Sequence, residues 1–154
     1  MKKLGMTVMT LVLAAGILTA CGAKEQTVTY RSATEQNGLT MVDTMTLDAT
    51  GDKVEKLTEV LELDMTNLDA ETQALLVETY AGLVEQCQEM EGVECTGEVD
   101  GTIYKLNFVV DTTTDAVPAL VEIGMLNIEG DADGKISLKA TGESLEAGGY
   151  VLVE

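Results

Sequence analysis

The groups in this chain that can do chemistry are three thiols and a large set of carboxylates. Cysteine stands at positions 21, 87 and 95, aspartate and glutamate number 27 against nine lysines and arginines, and histidine and tryptophan are absent. Without an imidazole the commonest general base, the commonest metal ligand and every Ser-His or Cys-His nucleophile pair are missing. What remains is carboxylate-only acid–base chemistry, which needs two acids facing each other in a cleft. Ser32, Ser137 and Ser144 have no candidate base, and no glycine-rich phosphate loop follows a strand. The chain is therefore read as no enzyme, with no catalytic residue and no cofactor assigned.

Two further groupings could bind or bond. Glu129-Gly130-Asp131-Ala132-Asp133-Gly134-Lys135-Ile136-Ser137 places oxygens at loop positions 1, 3 and 5, Gly at 6, an apolar residue at 8 and Ser at 9 of a calcium-loop register. Position 12, which needs a bidentate Glu, is Ala140, and position 1 is Glu rather than Asp. The favoured reading is a Gly-Asp turn leading into a helix cap at Ser137. No metal is assigned, and Glu129, Asp131, Asp133 and Ser137 remain a weak, incomplete calcium candidate. Cys87 and Cys95 both fall on positions that should point inward, across one short connection. A disulfide pinning helix to strand is the first expectation, contributing roughly 2–3 kcal/mol in the chain-entropy picture. The alternative is two buried thiols acting as small apolar residues. A redox-active pair fits worst, because the spacing is not Cys-x-x-Cys and no Lys or Arg is near in sequence to favour a thiolate.

The N-terminal residues set the address. Met1-Lys2-Lys3 is positive, and Leu4 to Ala20 carries no charge and is rich in Leu, Val, Ala, Met and Ile. This is a positive n-region followed by an apolar h-region, too short to span a bilayer. It ends in Leu18-Thr19-Ala20-Cys21-Gly22, which resembles a bacterial lipobox, with the polar Lys24-Glu25-Gln26 close behind. That resemblance implies diacylglycerol on the Cys21 sulfur and cleavage just before it. Two or more acyl chains hold a protein stably at a membrane. The expected organisation is a signal peptide over 1–20, a lipidated cysteine and short mobile tether over 21–26, and a single domain over 27–154. The expected location is the extracytoplasmic face of the cell membrane, with the lipid as the contact to it. Residues 1–20 hold two lysines and no acid, so the mature chain is more acidic than the formal −18 of the whole. Such a surface repels nucleic acid, which needs clustered Lys and Arg.

The elements that must position these groups follow from periodicity. Thr27–Ser32 alternates as a strand, Asn37-Gly38 turns the chain, and Leu39, Met41, Met45 and Leu47 share one face of a second strand. After Thr50-Gly51-Asp52, Val54–Met65 makes a third strand with Leu57, Leu61, Leu63 and Met65 in phase. Glu55, Glu59 and Glu62 break its pattern and are expected on a wet face. The period then changes. Asp69 is a plausible N-cap, and Leu76, Tyr80, Leu83, Cys87 and Met90 form a helix stripe that Gly92 ends. Asp100-Gly101 closes a hairpin between a strand carrying Val93, Cys95 and Val99 and one lined by Tyr104, Leu106, Phe108 and Val110. Asp115 could cap a short helix through Val121, Ser137 a last helix over Leu138–Ala147, and Tyr150–Val153 forms a terminal strand. The methionines Met41, Met45, Met65 and Met90 are read as core fillers in preference to an adaptable binding surface.

This order resembles that of the YehR-like lipoproteins, a family of small bacterial lipoproteins with a domain of unknown function. The residues that carry the likeness are Gly51-Asp52-Lys53-Val54, Glu91-Gly92-Val93, and Ile136-Ser137-Leu138-Lys139-Ala140 with Ser144-Leu145-Glu146-Ala147-Gly148-Gly149-Tyr150. The resemblance implies an α+β fold and no particular activity. The expected architecture is an antiparallel sheet, a three-strand meander plus a hairpin, with one long helix and two shorter ones packed on it. The expected role is a tethered, non-enzymatic module that binds a small ligand or a protein. A structural, envelope-maintenance interaction protein is the alternative, and a carboxylate-based hydrolase the third reading.

Overall fold

A computed structural model describes residues 23–122 and 135–153. The alternating segments form β1 (Glu25–Gln36), β2 (Leu39–Thr50) and β3 (Lys53–Asp64), an antiparallel meander. Asn37 (φ 54) and Gly38 (φ 85) both take the left-handed conformation that a two-residue hairpin turn needs to follow the strand twist. β1 begins at Glu25, inside the stretch expected to be a mobile tether. The Gly51 N–H donates to Lys24 O at 2.9 Å, and Gln26 Nε2 donates to Gly51 O at 2.6 Å. These bonds tie the start of the strand to the β2–β3 turn.

The chain continues through α1 (Ala70–Gln88), β4 (Val93–Asp100), β5 (Ile103–Asp111), α2 (Ala116–Glu122), α3 (Leu138–Ala147) and β6 (Val151–Val153). Asp69 caps α1, its Oδ1 accepting from the N–H groups of Glu71 and Thr72. The helix stops at Gln88, short of Gly92. Gly92 (φ 79) instead turns the chain into β4, where a Cβ would collide with Thr114. The six strands form one antiparallel sheet in the order β4-β5-β3-β2-β1-β6. The β4–β5 hairpin returns beside β3, and β6 closes against β1, so the fold is the expected α+β arrangement with one added edge strand.

The described helices α1, α2 and α3 lie on one face of the sheet. Leu76, Tyr80 and Leu83 of α1 pack on Leu61, Leu63, Tyr104 and Leu106. Val117 and Leu120 of α2, with Leu138 and Leu145 of α3, pack on Leu47, Leu57, Phe108 and Val110. The methionines serve these two cores: Met65 and Met41 in the first, Met45 and Met90 in the second. The opposite face is open and rich in threonine, with Lys56 paired to Asp48 at 2.8 Å and Thr29 to Thr46 at 3.1 Å. Close approach is bought by glycine at two points: a Cβ on Gly142 of α3 would meet Tyr30 Oη, and one on Gly97 of β4 would meet Tyr104 Oη.

Candidate functional site

Strand alternation places every second residue of β2 and β3 on the covered face. In β2 these are Leu39, Met41, Asp43, Met45 and Leu47; in β3 they are Leu57, Glu59, Leu61 and Leu63. Two acids are therefore in phase with the leucines. Met45 faces Glu59 and Asp43 faces Leu61, which makes Asp43 and Glu59 diagonal neighbours on one face. Their side chains are in hydrogen-bond contact. Glu59 was expected on the wet face; it lies instead under the helices, because it is in phase with Leu57 and Leu61 and the strand's alternation outranks its charge. The even-numbered Glu62 does face the open side, where Lys105 meets it at 3.8 Å.

The pair sits in the seam between the two apolar clusters. Burial pushes the Glu59 carboxyl up to about 7, helped by the negative charge of Asp43 and by the hydrogen bond to it. Tyr150, just after α3, donates its hydroxyl to Asp43 Oδ2 at 2.5 Å. Its phenol is held above the ordinary tyrosine range by burial first and then by Asp43. Tyr80 of α1 faces the same seam, raised by burial and by the charge of Glu59. Asp43 Oδ1 is buried and has no N–H or hydroxyl donor among the described residues.

At its other end α3 has a second aspartate. Asp52, in the β2–β3 turn, accepts from Ser137 Oγ at 2.8 Å through Oδ2 and from the Lys139 N–H at 2.9 Å through Oδ1. Its carbonyl accepts from the Leu138 N–H at 2.8 Å, and the Val54 N–H donates to Ile136 O at 3.0 Å. The Lys139 N–H first, and then the Ser137 hydroxyl, hold the Asp52 carboxyl below its usual range. The segments that carry the sequence resemblance, Gly51–Val54 and Ile136–Ala140, are thus one structural unit.

Ser137 is the α3 N-cap, its hydroxyl accepting from the Ala140 N–H at 3.1 Å. Glu129, Asp131 and Asp133 lie outside the described residues, as does Cys21; among the described residues no group of three acids or cysteines is arranged to hold a metal. Cys87 and Cys95 are brought together, both buried, as thiols in side-chain hydrogen-bond contact. Burial first, then the contact with Cys87, raises the Cys95 thiol well above its ordinary value. Gln88 Nε2 clips the same connection by donating to Cys95 O at 3.1 Å. Among the described residues, one surface depression lies between Met90 and Thr114 and another around Lys56, Val93 and Val109; neither of these is lined by Asp43, Glu59 or Tyr150.

Residues 26–151 match the family described as a protein of unknown function, DUF1307. An uncharacterised lipoprotein of Listeria innocua, Lin0239, is 28% identical over 99% of this chain and 97% of its own length. The solution structure of the YehR protein of Escherichia coli superposes with a TM-score of 0.63 at 22% identity, over 86% of this chain and 93% of that one. A Streptococcus pneumoniae protein superposes with a TM-score of 0.51 at 14% identity, over 98% of this chain and 99% of that one. Both structures share the fold. No helix among the described residues is long and apolar enough to cross a membrane.

Proposed function

The chain belongs to the DUF1307 family of unknown function, a YehR-like lipoprotein domain, and from this premise we propose that it is a lipid-anchored, extracytoplasmic, non-enzymatic module that binds a protein or a small ligand. The observation that carries the reading is the lipobox-like Leu18-Thr19-Ala20-Cys21-Gly22 behind an uncharged apolar run. The name of the Listeria innocua relative supports it. Labelling cells with radioactive palmitate tests it. The expected result is label in the protein and its loss, with release from the membrane fraction, in Cys21→Ser. An unlabelled protein whose fractionation is indifferent to Cys21→Ser defeats the anchor.

Against catalysis stand the absence of histidine and the way the enclosed carboxyl pair, Asp43 and Glu59, is used. Asp43 is bonded to Tyr150 and Glu59, so both acids are engaged within the fold. The same pair is what favours a second reading, a carboxylate-based hydrolase, since two acids face each other. That reading requires a hydrolytic activity abolished by both Asp43→Asn and Glu59→Gln.

Cys87 and Cys95 are proposed to close as a disulfide in the exported protein. The two thiols surrender two protons and two electrons to the disulfide of an oxidising thiol carrier, which leaves as two thiols. The contact between the sulfurs supports this. Alkylation of unreduced protein should leave both positions unlabelled; label at both rules the bond out.

A further inference from the structure

We propose that Glu59 and Asp43 share one proton, and that this proton clamps the C-terminal segment, Tyr150 and β6, onto the sheet and releases it as the medium becomes alkaline. Geometry carries the first half. Asp43 Oδ2 is taken by the Tyr150 hydroxyl at 2.5 Å. Asp43 Oδ1 is buried and lacks a donor among the described N–H and hydroxyl groups, an arrangement that costs stability unless something donates. Glu59 is the side chain in contact with Asp43. Two ionised carboxylates are both acceptors and make no bond, whereas a neutral Glu59 carboxyl donates its O–H. One proton on Glu59 satisfies the orphan oxygen and removes one of two adjacent negative charges.

Among the described residues the surroundings offer no substitute for that proton. Asp43 faces Glu59 from β2, Tyr80 from α1, Cys95 from β4, and Tyr150, itself bonded to Ser32 of β1, from the closing segment. Met45 and Phe108 sit opposite Glu59 on the neighbouring strands. None of these side chains is basic. The shift of Glu59 to about 7 is the expected consequence. When the proton leaves, two negative charges stand side by side with little water, and the fold relieves them by admitting solvent.

The closing segment is the cover that yields most easily. β6 has three residues, pairs among the described strands with β1 alone, and leaves Val151, Leu152 and Val153 exposed at 65, 48 and 45%. α1, the cover on the other side, has 19 residues and an apolar core beneath it. Opening free energies are lowest at such short, exposed edges.

Nuclear magnetic resonance on the full chain tests the proposal, with two readouts at about pH 5.5 and about pH 8. The Glu59 side-chain carboxyl carbon should titrate near neutrality. Amide exchange protection of Val151–Val153, corrected for the intrinsic rate of exchange, should fall about tenfold across the interval while that of β3 holds. Glu59→Gln supplies an amide N–H donor at every pH, so its β6 protection should be high and flat. Titration of Glu59 in the ordinary carboxylate range overturns the proposal. So does unchanged β6 protection, or an equal loss of protection in Glu59→Gln. Should that variant not fold, the two wild-type readouts decide alone.

Discussion

At its N-terminal end α3 is held by Asp52, and just past its C-terminal end the chain is held by Asp43 through Tyr150. The first aspartate is solvated and fully bonded to donors, so it is stabilised as an anion. The second is enclosed beside another acid, and its arrangement is most stable with one proton present. Asp52 at one end of the helix and Glu59, the acid that touches Asp43, at the other therefore respond to pH in opposite senses. What differs is the supply of donors and water, not the sequence chemistry of the carboxyl.

Glu59 has a folded-state value near 7 against an ordinary 4.5, so the folded chain binds the extra proton and stability falls as pH rises between those values. Asp52 is shifted below 3.8, so its contribution is present above that value and is lost as pH falls through the lower, folded one. Urea denaturation of Glu59→Gln should give the largest effect. It should stabilise the protein by about 2 kcal/mol at pH 8 and by little near pH 5, allowing for the partial exposure of the site. A variant no more stable than wild type at pH 8 would erase the contrast between the two ends.

Between the two fastenings lies Gly142, whose added Cβ would collide with Tyr30 Oη. Gly142→Ala should lose about 1–2 kcal/mol, because overpacking outweighs a helix-propensity gain of about 1 kcal/mol. Gly82, in α1 with open space around its missing Cβ, is the control: Gly82→Ala should gain about 0.5–1 kcal/mol in the same denaturation experiment. Tyr150→Phe removes the donor to Asp43 Oδ2 and should cost about 1 kcal/mol, seen as a lower midpoint at pH 5. Asp52→Ala should have the smallest effect: a modest drop in midpoint at neutral pH that disappears in acid, once the wild-type carboxylate is itself protonated.

Much of the fold was legible in residue order. The Asn37-Gly38 hairpin, the Asp69 cap of α1, the Ser137 cap of α3 and the inward row Tyr104, Leu106, Phe108 and Val110 all stand where periodicity and capping chemistry put them. The polar seam was missed, although its signal was present. Asp43 falls in step with Met41 and Met45, and Glu59 in step with Leu57 and Leu61. An acid on a core phase in each of two adjacent strands marks a buried polar contact. Reading Glu59 by its charge alone sends it to water, whereas a strand offers each residue only one face.

Some bonds have no signature in sequence order. Asp52 reaches Ser137 across 85 positions, and Tyr150 reaches Asp43 across 107. The sequence alone determined the alternation, the turns, the caps and the likeness to a lipid-modified export signal, because each depends on neighbours a few residues apart. Only the tertiary structure decided that β6 closes on β1, that α1, α2 and α3 cover one face, and that Asp43 meets Glu59 and Tyr150. Strand pairing and helix docking choose which distant residues share a desolvated space. In that space, rather than in the residue itself, a carboxyl group acquires its proton affinity.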